Sequence, residues 1–149
     1  MTPEKVKLVQ DSFKKVAPIA DAASDIFYNR LFEIAPDVRS MFPADMTEQR
    51  GKLMQTLAVA VNNLHQVETI VPVVQELGKK HVGYGVKDEH YDTVGSALLY
   101  TLEKGLGDDF TAEVKDAWTE TFMLVAGVMK DAAATVEAPK EGFFAKAAG

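Results

Sequence analysis

The sequence predicts an all-α domain. Apolar residues recur at spacings of three and four through almost the whole chain, the period of a helix with one buried face. No Asn-Gly or Asp-Gly turn separates alternating runs of the kind that make hairpins.

Each element follows from its own residues. Thr2 before Pro3 is a helix cap followed by proline at the first helical position, and it opens a helix that turns Val6, Val9, Phe13 and Val16 inward until Pro18 ends it. The next helix carries Ala20, Ala23, Phe27, Tyr28, Leu31 and Phe32 on one face. It stops before Pro36, whose ring disfavours helical geometry at Ala35. Pro36 to Phe42 reads as a short helical turn and Pro43 to Thr47 as a polar connection carrying Asp45. A long helix then places Gln49, Leu53, Leu57, Ala60, Val61 and Leu64 on one face, with Arg50 and Lys52 off it and the Asn62-Asn63 pair weakening its end. The helix after it runs from about Glu68 to His81, with Pro72 in its first turn and Gly83 and Gly85 as terminators. Asp88 is expected to cap the following helix, which turns Tyr91, Val94, Leu98, Leu99 and Leu102 inward and stops at Gly107. Thr111 caps the last, with Val114, Trp118, Phe122, Val125 and Met129 inward. Residues 1–135 form the domain. The Ala-, Pro- and Gly-containing stretch 136–149, with Phe143 and Phe144, reads as a flexible tail.

A chain of 149 residues suits one domain, and at that size roughly 70% of the unfolded surface is buried, enough to enclose a cofactor. A second, nucleotide-binding domain does not fit as well, so any reductase is expected on a separate chain. The net charge of −6 offers no basic stripe, which makes nucleic acid and anionic membranes poor partners. The absence of Cys excludes disulfides, a thiolate nucleophile and Cys-ligated metal. No apolar run reaches the roughly 18 residues of a membrane span, and Met1 to Lys5 leads into an amphipathic helix rather than a signal segment. A cytoplasmic location is the expectation.

Three histidines are present. His65 at a helix end and His90 in a first turn read as solvated. His81 differs, because it continues the apolar stripe Ile70, Val73, Val74, Leu77, and an imidazole facing an apolar crevice can ligate a metal. Glycines 83 and 85 leave room beside it for a planar ligand such as haem, whose iron takes a proximal His in oxygen carriers. Tyr28 and Gln49 put a hydroxyl and a carboxamide on otherwise apolar stripes, where each could donate to a small, partly anionic ligand. Paired acids at 88–89 and 108–109 look like helix-end residues, no phosphate loop or HExxH motif occurs, and Ser12, Ser24, Ser40 and Ser96 lack an elbow context. Met54 is a candidate flank of the pocket.

The stretches FYNRLF, PDVRSMF, GKLMQTL, KKHVGYGV, HYDTVG and DAW carry a resemblance. From Phe27 to Trp118 the chain resembles bacterial single-domain haemoglobins and the globin domain of flavohaemoglobins. That resemblance implies a globin fold, its helices crossing pairwise at about 50° around haem b. It makes His81 the proximal iron ligand, Phe42 the ring stacked on the haem, Tyr28 and Gln49 the distal and catalytic pair, and Leu53 the apolar residue over the iron. Leu57, Leu77, Val86, Tyr91, Val94, Trp118 and Phe122 complete the implied lining. The implied function is reversible binding of O2, NO and CO, with oxidation of nitric oxide to nitrate supported by a separate reductase. The alternative is a haem-based gas or redox sensor acting through partner contacts. A monomer or weak homodimer is expected. Two departures matter. Relatives support the proximal His with a Tyr–Glu pair; Tyr91 fills the tyrosine position, but the glutamate position falls on Ala133, with Asp131 and Glu137 off register. Phe122 stands where relatives often carry tyrosine, which makes the pocket floor drier.

Overall fold

The computed structural model describes residues 1–83 and 86–135. Its helices are α1 (Pro3–Val16), α2 (Ala20–Ile34), α3 (Thr47–Asn62), α4 (Val67–Gly83), α5 (Asp88–Leu106) and α6 (Ala112–Ala133), with short 3-10 turns at Ala17–Ile19, Pro36–Met41, Leu64–Gln66 and Gly107–Asp109. No strand occurs among the described residues. The all-α reading holds. Gly85 and the segment 136–149 lie outside the described residues, as do Glu137, Phe143 and Phe144. Among the described residues no helix is long and apolar enough to cross a membrane.

The caps at Thr2 and Thr111 form as the sequence implies: each side-chain oxygen accepts a backbone N–H three residues on, from Lys5 and Val114, at 3.2 Å. Gly107 ends α5 with φ of 55°, a left-handed conformation that costs glycine little. Five expectations need correction. Asp88 is the first residue of α5 and Lys87 is its cap; the capping side chain is His90, whose Nδ1 accepts the Lys87 N–H at 2.8 Å, so His90 is engaged in the turn rather than simply solvated. Pro72 lies inside α4 rather than in its first turn, because the helix begins at Val67, directly after the 3-10 turn. The stripe expected to continue to Leu64 stops with α3 at Asn62. Val73 is 57% exposed, at the edge of a stripe whose centre is Ile70, Val74 and Leu77.

Three apolar clusters fill the interior. The first joins α1, α5 and α6 through Val9, Phe13, Val16, Leu102, Leu106, Val114, Ala117 and Trp118. The second joins α2 to α5 through Phe27, Tyr28, Leu31, Val38 and Ala97. The third, Ile70, Val74, Tyr91, Ala126 and Met129, lies between α4, α5 and α6. The Trp118 indole N–H donates to Ser12 Oγ at 2.8 Å, and that hydroxyl donates in turn to the Leu8 carbonyl at 2.7 Å. A fully buried donor is thereby satisfied.

α4 packs closely against α6 at Gly78. A Cβ there would lie 2.7 Å from the Met129 Cα and 2.9 Å from its carbonyl carbon, so glycine sets how near the His81 helix sits to α6. Gly78→Ala should therefore force the two backbones apart and cost about 1–3 kcal/mol. Gly51→Ala, where a Cβ meets nothing within 4 Å, should instead stabilise α3 by roughly 0.5–1 kcal/mol. Urea denaturation of the two variants checks the contrast, and equal effects would show that the α4–α6 approach is not close.

Candidate functional site

α2 and α3 bring the two polar residues together. Tyr28 is buried at 5% exposure among Phe27, Phe32 and Phe42, with ring centroids 5.0, 6.0 and 5.5 Å away. Gln49 Nε2 donates to the Tyr28 hydroxyl at 3.3 Å. The hydroxyl oxygen thus acts as acceptor, and its own proton can be given to a third group. Burial raises the phenol pKa above its ordinary value, with the Gln49 bond pulling the other way, so Tyr28 is a neutral donor.

α4 presents His81. Its ring Nδ1 lies 2.6 Å from the Leu77 carbonyl one turn back. A carbonyl only accepts, so Nδ1 carries the proton and the lone pair of the neutral ring lies on Nε2. Burial lowers the imidazole pKa, and the Leu77 bond partly offsets this. The ring is held neutral and in one tautomer, the state a metal requires. The Val86 N–H donates to the His81 carbonyl at 3.0 Å.

The other expected site residues divide among the clusters. Phe42, Leu53 and Val94 pack with Tyr28. Leu77, Val86 and Phe122 pack with Tyr91. Trp118, Leu57 and Met54 belong to the first cluster, where Trp118 is 1% exposed and bonded to Ser12. Phe42, Leu53, Leu57, Leu77, His81, Val86, Val94 and Phe122 are all only partly buried, although their neighbours are core residues. Apolar side chains that stay partly buried in the middle of a packed helical domain are what a flat apolar ligand such as haem would be lined by, and His81 on α4 supplies the imidazole a metal would need.

Several residues with no role in the sequence reading occupy this region. Lys130 places its ammonium 5.4 Å from the centre of the Tyr91 ring. The face of α6 turned to Tyr91 therefore presents a cation, with Ala133 partly buried one turn further on and Asp131 exposed. Arg50 pairs with Asp25 at 3.0 Å across an open cleft of about 460 Å³ between α2 and α3. Arg39 binds three backbone carbonyls after Phe42. The sequence signal for each is a basic residue beside a stripe residue, which is also the pattern of any solvated helix face. His65 is exposed, 3.5 Å from Gln10.

The globin family profile matches residues 25–129. The chain belongs to the globins. It is 30% identical to a flavohemoprotein of Xylella fastidiosa over 99% of this chain and 37% of that protein. A flavohemoprotein of Bacillus subtilis is 29% identical over 85% of this chain and 33% of its own length. The chain thus spans about a third of these relatives. Among solved structures, a bacterial globin from Campylobacter jejuni superposes with a TM-score of 0.81 at 25% identity, covering 90% of this chain and 97% of that one. An engineered carbene transferase made from a proposed nitric oxide dioxygenase of Rhodothermus marinus shares the fold, with a TM-score of 0.82 at 24% identity over 91% and 94% of the two chains. In this globin the fold places a neutral imidazole on α4 and a neutral phenol on α2.

The phenol gives a pH dependence. A folded pKa above the unfolded value of about 10 means that the unfolded chain loses its proton first. The contribution of Tyr28 is then fully present below that pH and lost as pH rises through the folded value. Denaturation free energies measured between pH 8 and 11 should fall more steeply for the wild type than for Tyr28→Phe. Parallel slopes would mean that Tyr28 ionises as freely in the fold as in water.

Proposed function

We propose that this globin holds haem b through His81 and reversibly binds O2, NO and CO beside Tyr28 and Gln49. The observation that carries the reading is the His81 ring: Nδ1 donates to the Leu77 carbonyl at 2.6 Å, which fixes the tautomer whose basic nitrogen is Nε2, the atom that would ligate iron. Haem, when bound, supplies an iron centre that takes a diatomic ligand and exchanges electrons.

The residues of the chain do the rest. His81 orients through Leu77 and stays neutral. Phe42, Leu53, Leu77, Val94 and Phe122 exclude water from the faces of the group. Tyr28 supplies a proton donor to a ligand that gains negative charge, and Gln49, by donating to the Tyr28 oxygen, polarises that hydroxyl and fixes its direction. Gln49 therefore acts mainly through Tyr28 instead of as a second independent donor. With Ala133 at the position where the resemblance expects a glutamate, His81 stays a neutral imidazole, and this favours holding the ligand over activating it.

Oxidation of nitric oxide is a second activity of the same pocket. One O2, one NO and one electron give nitrate, so turnover needs a reductase, and the net charge of −6 suits a partner with a basic docking face. The flavohemoprotein relatives support, by name, a haem centre associated with a flavin group.

Two outcomes are expected. His81→Ala should lose haem during purification, whereas His65→Ala and His90→Ala should retain it; full haem content in the His81 variant would remove the assignment. A hydrogen bond to a charged or strongly polarised acceptor contributes about 1.5–3 kcal/mol, so Tyr28→Phe should speed O2 release by roughly ten- to a hundredfold. Gln49→Ala should have the smaller effect in stopped-flow measurements. A larger effect at Gln49 would make the carboxamide, rather than the phenol, the principal donor.

A further inference from the structure

The chain between the 3-10 turn at Pro36–Met41 and α3 contains Phe42, Pro43 and Ala44, whose carbonyls point to no helical partner. All three are bound by one side chain. Arg39 Nη1 donates to the Phe42 carbonyl at 3.2 Å and the Pro43 carbonyl at 2.9 Å, and Nη2 donates to the Ala44 carbonyl at 3.1 Å. The guanidinium also lies over the Phe32 ring, 5.1 Å from its centre. Phe32 meets Phe42 edge-on at 5.5 Å, and Phe42 meets Tyr28 edge-on at 5.5 Å. One cation thus grips both the backbone that carries Phe42 and the ring against which Phe42 rests.

We infer that Arg39 is a positioning residue for the Tyr28 hydroxyl, acting through Phe42. The inference rests on the function proposed above for what the hydroxyl does, but the grip itself does not. Without the Arg39 guanidinium, three carbonyls turn to water, and Phe42 keeps only its backbone N–H bond to the residue-39 carbonyl at 3.1 Å and its edge contact with Phe32. Phe42 then gains freedom at the edge of the Tyr28 ring, and the phenol no longer holds one direction. A flat guanidinium is required: it offers several donors in fixed directions together with a face that stacks on an aromatic ring, whereas a lysine ammonium is a single strongly hydrated point charge. Lysine should not substitute.

The test combines Arg39→Gln, Arg39→Lys and Tyr28→Phe. In haem-free protein, both Arg39 variants should lose near-ultraviolet circular dichroism from the Tyr28–Phe32–Phe42 cluster while the far-ultraviolet helical signal is kept. In ferrous protein under CO, the C–O stretching band should broaden or split as the phenol takes more than one direction. O2 release should quicken by roughly tenfold, within the coupling expected of residues that share a network. In a Tyr28→Phe background the Arg39 substitutions should add less than about twofold, because the hydroxyl they position is gone. A full effect of Arg39→Gln in that background, or wild-type behaviour of either Arg39 variant in all these readouts, would overturn the inference. If Arg39→Gln does not fold, Arg39→Lys alone decides by the same readouts. If the wild type binds neither haem nor CO, the functional reading fails, and the near-ultraviolet comparison still decides whether Arg39 orders the ring cluster.

Discussion

The hydrogen bond from His81 to the Leu77 carbonyl is the interaction on which the site depends. A histidine holds a metal only when neutral and with its lone pair turned outward. Burial secures the first condition and the 2.6 Å bond to Leu77 the second. The second follows from helix geometry, since the residue one turn back offers its carbonyl near the side chain. What is particular to this chain is the placement of α4. Gly78 lets it press against Met129 of α6, and Ile70 and Val74 seat it in the third cluster. The imidazole belongs to the last turn of that packed helix.

On the other side, polarity is kept to a minimum and is directional. Tyr28 and Gln49 are joined to each other, and the rest of that wall is aromatic or aliphatic. A lone phenol in such surroundings would have a loosely defined direction. Here a ladder of rings and charges fixes it, from the Arg39 guanidinium through Phe32 and Phe42 to Tyr28. In the function proposed above this arrangement offers a small ligand a neutral donor without burying an ion, which would need a partner of its own.

The helical framework was legible because amphipathic periods and caps are local. The stripe of α1, the break at Pro36 and the Thr2 and Thr111 caps depend on residues within one turn of each other. Tyr28, Gln49 and His81 were legible because a polar group on an apolar stripe is conspicuous. Other features depend on partners distant in sequence. Ser12 gave no sign that it would accept the Trp118 indole, and Lys130 none that it would face Tyr91. Arg39 lies within a recognisable stretch, yet its three bonds depend on how the backbone turns after Phe42. The cap at Lys87 was misplaced by one residue because Asp88 has the better capping side chain, while His90 supplies the bond.

The most direct measurement is the visible and resonance Raman spectrum of the ferrous protein after haem is added to the purified chain. One haem per chain with a five-coordinate iron and a single iron–imidazole stretch, lost in His81→Ala, is the predicted result. Absence of haem uptake, or an iron held by two protein ligands in the ferrous state, would contradict a site built from one neutral imidazole facing a neutral phenol.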